Sequence, residues 1–254
     1  MQLNGGDNTL PKVYFKFGDL QWDVNFFASA LTKKIGHKRD LRYYPGTKNI
    51  LRCYPGIEKM PKNKKMKENL KHFLIKVYLD RFDKICRSVI HFQKIWDKKN
   101  DKFMAALSKV LDVKAPENRI IGAQVSVNPG GPYDRNRWAF SLHYYLPDKV
   151  VIRVCSHEIT HMFYFKKLIE EFPKINTKKF SRPAREWKLS EVLAPIIMND
   201  PRMVKIIGKT PLRTYVCNDE ILLKFDELYK EHLKKKTSFV AFYKKARQLA
   251  NKLL

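Results

Sequence analysis

The stretch RVCSHEITHMFYFKK, residues 153–167, is greasy enough for a buried helix, yet it carries His157, Glu158 and His161. No Gly or Pro interrupts the chain from Lys149 to Phe172, Pro147 and Asp148 precede that run, and Pro173 closes it. The pattern predicts one helix over about 149–172 with Asp148 as its cap. At about 100° per residue, His161 falls about 40° round from His157 and Glu158 about 100°, so all three groups open to one side. Val150, Val154 and Leu168 continue the histidine stripe, which turns the imidazoles inward or into a cleft. Burying two imidazoles and a carboxylate is costly unless each finds a partner, and a metal ion satisfies all of them at once.

Working outward, RIIGAQVSV (119–127) and RWAFSLHYYLP (137–147) are rich in β-branched and aromatic residues and flank the loop NPGGPYDRN. They read as two strands leading straight into the histidine helix. Upstream, KVYFKF (12–17) alternates as a half-exposed strand, and DLQWDVNFFASALTKKIG offers Asp19 as a helix cap and Gly36 as a stop. LRYYPG (41–46) and LRCYPG (51–56) each end in a Pro-Gly pair that favours a tight turn. A long amphipathic helix follows from Lys62 to about Trp96, on which Leu70, Phe73, Leu74, Val77, Tyr78, Phe82, Ile85, Val89 and Ile90 form the apolar face. A shorter helix spans Asn100 to Leu111, before Pro116 breaks the pattern. Phe92 and Trp96 are expected in packing, not on bases. The fold class is α+β: a largely helical N-terminal portion over residues 1–115 flanks a unit over 116–254 that carries the histidine helix.

Composition narrows the function. The chain has 254 residues, 44% of them hydrophobic, enough for a substantial core. Cys53, Cys86, Cys155 and Cys217 form no CxxC pair, which excludes a cysteine zinc ribbon and gives no disulfide framework. Cys155 falls about 200° from His157 and should be packed as a small apolar group. No secretory leader pattern opens the sequence and no window approaches eighteen uncharged apolar residues, so the expectation is a soluble, cytoplasmic protein without a transmembrane segment. Fifty-one Lys+Arg against 25 Asp+Glu give a net charge of +26, a field that attracts polyanions. The basic runs are dispersed, at 33–42, 59–72, 97–102, 178–188 and 234–236. That dispersal leaves a merely solvated basic surface, with at most nonspecific nucleic-acid contact, and a specific polyanion site equally open.

Histidines at i and i+4 can both reach one zinc ion while the adjacent glutamate stays free to take a proton from water. On HEITH the chain resembles the zincin metallopeptidases. It lacks the extended HExxHxxGxxH, since Tyr164 and Lys167 stand where that pattern has Gly and the third His. The likeness is therefore to the gluzincin branch, whose third ligand is a glutamate on a later helix. REWKLSEVLAPIIMND (185–200) supplies Glu191 about thirty residues on, with Trp187 and Ala194 on its face; Glu186, between Arg185 and Lys188, reads as a solvated pair. The resemblance implies a zincin-like unit in which His157, His161 and Glu191 hold one zinc ion and Glu158 polarises the attacking water for hydrolysis of a peptide or protein substrate; strand 137–147 is then either an ordinary sheet strand or, as in zincins, an edge that receives an extended peptide. Looser still is a likeness to the ImmA/IrrE-type regulatory peptidases. The likeness covers about 45 residues, from Val150 to about Pro195.

Two positions stay open. Thermolysin-like gluzincins carry an aspartate where this chain has Pro195, leaving Asp200, Asp219 and Asp226 as candidates to orient a histidine. For the oxyanion donor, Tyr215 stands ahead of Arg213, His232, His143, Tyr144 and Tyr145. A deformylase-like activity lacks its upstream cysteine segment. The rival from another class is a basic nucleic-acid- or ribosome-binding protein in which the histidine pair is structural or vestigial.

Overall fold

Strand β1, Lys12–Phe17, opens the described part of the computed structural model, which comprises residues 10–32 and 45–254. The expected Gly36 stop, the first basic run and most of the first Pro-Gly repeat lie outside those residues. Helices α1 (Leu20–Thr32), α2 (Pro45–Cys53), α3 (Met66–Asp97) and α4 (Asn100–Leu111) follow. Next come β2 (Ile120–Ser126), β3 (Tyr133–Asp134), β4 (Ala139–His143) and α5 (Asp148–Glu171). The chain ends with α6 (Arg185–Met198), α7 (Pro201–Ile207), α8 (Asp219–Lys235) and α9 (Phe239–Leu253). The class is α+β, and among the described residues no helix is long and apolar enough to cross a membrane.

By contact, the described residues of Met1–Val13, Trp96–Ile121 and Ile159–Leu254 form one compact unit, and those of Tyr14–Ile95 and Gly122–Glu158 another. In the second, the sheet order is β1-β2-β4-β3, with β2 and β4 parallel and β3 antiparallel to β4. Strand β4 is thus flanked on both sides over Ala139 and Phe140, and the Ser141 amide also donates to the Pro132 carbonyl at 2.8 Å, so this part of the edge expected to receive peptide is already covered. On β1 the amide of Phe15 donates to Gln93 of α3 at 2.9 Å, which satisfies an edge donor that could otherwise template another strand. Asp19 caps α1 as expected, accepting from the amide of Trp22 at 3.0 Å.

Two expectations change here. Phe82 and Ile90 of α3 are 52% and 58% exposed, while Leu70, Leu74, Tyr78, Ile85 and Phe92 are buried. The buried arc of α3 is therefore narrower than its apolar pattern, and Phe82 instead meets Phe17 of β1 with ring centroids 5.4 Å apart. Of the two Pro-Gly pairs only Pro55-Gly56 turns, with Gly56 at φ +87°; Pro45-Gly46 opens α2, where a missing N–H costs a helix nothing.

In the first unit, Trp96 is fully buried, meets Phe103 edge-on at 5.2 Å and donates to Asn100 at 3.0 Å. Asn100 in turn accepts from the Val13 amide and donates to the Pro11 carbonyl, tying β1 to the start of α4. Helix α6 is the centre of this unit: from Glu186 to Met198 every residue except Lys188 is buried. It is flanked by α7, α8 and α9. A helix apolar on nearly all sides is one surrounded by other elements, and that is what places Glu191 in the interior.

Candidate metal centre

Helix α5 runs unbroken through the histidines, so the spacing of His157 and His161 is set by helical geometry alone. Asp148 begins α5, but its carboxylate turns to His91 Nε2 at 2.9 Å. One side of α5 is anchored by Val151, Cys155, Ile159, Met162 and Phe163, all buried; Cys155 is packed as expected, and burial pushes its thiol pKa well up. His161 is 2% exposed and stacks on Phe165 with centroids 6.2 Å apart and planes 16° off parallel. His157 and Glu158 are half-buried, so exposure is graded along the motif.

Glu191 is 7% exposed on α6 and places Oε1 3.7 Å from His161 Nε2. That distance is too long for a hydrogen bond. It suits two ligands of one ion, because tetrahedral ligands at about 2.0–2.1 Å from zinc stand roughly 3.3 Å from each other. One ligand atom from each of His157, His161 and Glu191 lies within 4.8 Å of the others. Two imidazole nitrogens and one carboxylate are a donor set that zinc accepts, and three protein ligands leave room for water or substrate. Among the described residues this is the group of three or more such side chains able to hold a metal ion.

Tyr215 lies beside this carboxylate. Burial drives its phenol far above the usual range, and the charge of Glu191 adds to this. Arg182 donates from Nη2 to Tyr215 Oη at 3.0 Å. The guanidinium carbon lies 4.6 Å from the centroid of Trp187, one turn before Glu191, and 5.6 Å from that of Tyr215. Nothing in the sequence singles out Arg182, which sits in a basic run and is separated from α6 by Pro183 and Ala184.

The remaining candidates have other commitments. Glu186, expected in solvent beside Arg185 and Lys188, is 4% exposed and accepts from Tyr243 Oη at 2.9 Å and Arg247 Nε at 2.8 Å. Its counter-charge comes from α9, sixty-one residues away. Asp200 caps α7 and holds Arg202 and Tyr229, Asp226 pairs with Lys230 at 2.7 Å, and Asp219 is the first residue of α8. His232 meets Thr237 Oγ1 at 2.8 Å. His143 ends β4, where burial holds its pKa down at about 4 and the ring neutral. Tyr144 and Tyr145 follow it, with Tyr145 exposed, and Arg213 is exposed. No protein-family model matches the chain, and neither a curated protein nor a solved structure does.

Proposed function

We propose that the protein is a zinc-dependent peptidase, in which His157, His161 and Glu191 hold the ion and Glu158 is the general base. The supporting observation is the convergence of those three ligand atoms within 4.8 Å, two of them from α5, which also carries Glu158 next to the first ligand, and one from α6. Zinc bound there supplies Lewis-acid charge that acidifies water and polarises a carbonyl. Two neutral imidazoles and one carboxylate leave a net positive charge to act on the substrate. Glu158, half-buried at the exposed end of the motif, takes a proton from the attacking water and delivers it to the departing amine. His161 and Glu191, deeper in, keep the far side of the site dry, which strengthens each electrostatic contact.

The test is zinc content and peptide hydrolysis of the purified protein beside Glu158→Gln, assayed on a mixed quenched-fluorescent peptide library. The expected result is one zinc per chain in both, with hydrolysis lowered by about two to four orders of magnitude in the variant. A variant that hydrolyses as fast as the wild type overturns the assignment of Glu158.

A further inference from the structure

The apolar side of α3 that packing leaves uncovered is a continuous row. Leu79, Phe82, Cys86 and Ile90 follow one another at steps of three, four and four residues, which makes each the surface neighbour of the next along a helix. Leu79 is 71% exposed, Phe82 52% and Ile90 58%. Phe17 of β1, itself at the surface, widens the row where its ring meets Phe82. All five residues belong to the same compact unit. We propose that this row is a docking surface for an anionic lipid bilayer, on which α3 lies along the interface with these side chains among the headgroups.

The charges around the row select the occupant. Lys76 stands three residues before Leu79, Arg87 three before Ile90 and Lys94 four after it, and all three are exposed. They therefore border the row on one flank and at both ends. Asp83 is the acid on that flank, while Asp80 is paired with Arg81 at 3.2 Å. Among the described residues no salt bridge engages Lys76, Arg87 or Lys94, so their charge is available to an outside anion. Cations bordering exposed Leu, Phe and Ile suit a helix held at a bilayer surface: the apolar side chains enter the boundary between headgroups and acyl chains, and the cations meet anionic lipid groups. The net charge of +26 draws the protein to a negative surface in any orientation. The row then decides which side stays there.

Other occupants fit less well. A second copy would bring the same cations and another +26 against these. A stable protein interface also engages roughly 20–30 residues a side, far more than one helical row and one strand residue. A partner helix needs a groove to receive it, whereas Leu79 and Ile90 stand out from α3 with most of their surface in solvent. A bilayer interface yields to protruding side chains and needs no matching concavity. Among the described residues no helix is long and apolar enough to cross a membrane, so the contact is peripheral.

Co-sedimentation of the full chain with vesicles of phosphatidylcholine, alone or mixed with phosphatidylserine, tests this. The wild type should bind the mixed vesicles and not the neutral ones. Leu79→Ser with Ile90→Ser keeps every charge and should bind at least about tenfold more weakly, since two aliphatic side chains no longer enter the interface. Lys76→Gln, Arg87→Gln and Lys94→Gln together should weaken binding more than Lys234→Gln, Lys244→Gln and Lys252→Gln, which remove as much charge from the other compact unit. Thermal unfolding of each variant should match the wild type, because every substituted side chain is exposed. Unchanged affinity in the Leu79 and Ile90 variant overturns the proposal and leaves general charge attraction as the whole account. Equal losses in the two triple variants, equal binding to neutral vesicles, or no binding to the mixed ones overturn it as well.

Discussion

His161 Nε2 and Glu191 Oε1 face each other at 3.7 Å in a nearly dry interior, one from α5 and one from α6. Each of the two is buried at a cost that a shared cation would offset.

Removing the inner imidazole should affect stability as well as zinc. His161→Ala leaves a cavity beside Phe165, whose ring it stacks on, and should destabilise the zinc-free protein by about 1–3 kcal/mol. His157→Ala, half-buried, should cost less than about 1 kcal/mol while abolishing tight zinc binding. Urea unfolding in excess chelator, read beside zinc titration, checks the contrast; equal costs for the two would be the wrong result.

Asp23 makes stability pH-dependent. It is buried against Tyr78, Asn128 and Ser126, and burial raises its pKa from 3.8 to about 6. A carboxyl group raised on folding binds its proton more tightly in the native state. Its contribution is fully present below the unfolded value near 3.8 and is lost as pH rises through about 6. Asp23→Asn, which never ionises, should gain on the wild type by on the order of 2–3 kcal/mol between pH 4 and pH 7.5. Denaturant midpoints of both proteins at the two pH values give the difference, and a constant gap removes Asp23 as the cause.

Arg247→Met strands the Glu186 carboxylate with Tyr243 as its hydrogen-bond partner. Unpairing a fully buried ion pair costs roughly 3–5 kcal/mol; with Arg247 half-exposed, about 2–3 kcal/mol is expected. The double variant Glu186→Gln with Arg247→Met should recover much of this. Chemical denaturation of the three proteins decides it.

The charge of +26 predicts binding to nucleic acid that is salt-sensitive and unspecific. Affinity for random duplex should fall steeply with log[salt] and reach the weak nonspecific range, with Kd of about 10⁻⁴–10⁻⁶ M, near physiological ionic strength. Tight, sequence-dependent binding that survives there would favour a nucleic-acid function.

Much of this was legible because local period and local chemistry agreed. KVYFKF alternates and forms β1; the runs from Asn100 and through HEITH lack breakers and form α4 and α5. Glu191 stands out through the family resemblance, supported by an apolar helical face that depends only on residues within a turn or two. Glu186 could not, because its burial depends on Arg247 of α9, and its sequence neighbours suggest the opposite. Arg182 and Tyr215 meet across two irregular segments whose paths are fixed by packing, not by periodicity. Phe82 and Ile90 sit just outside the buried arc of α3, a difference of a few tens of degrees that an apolar pattern does not resolve.

The most direct measurement is anomalous diffraction at the zinc edge from crystals of the protein grown with zinc. The account predicts one strong peak within about 2.0–2.2 Å of an imidazole nitrogen of His157, one of His161 and a carboxylate oxygen of Glu191. No peak among these side chains, or zinc held only by other residues, would contradict it.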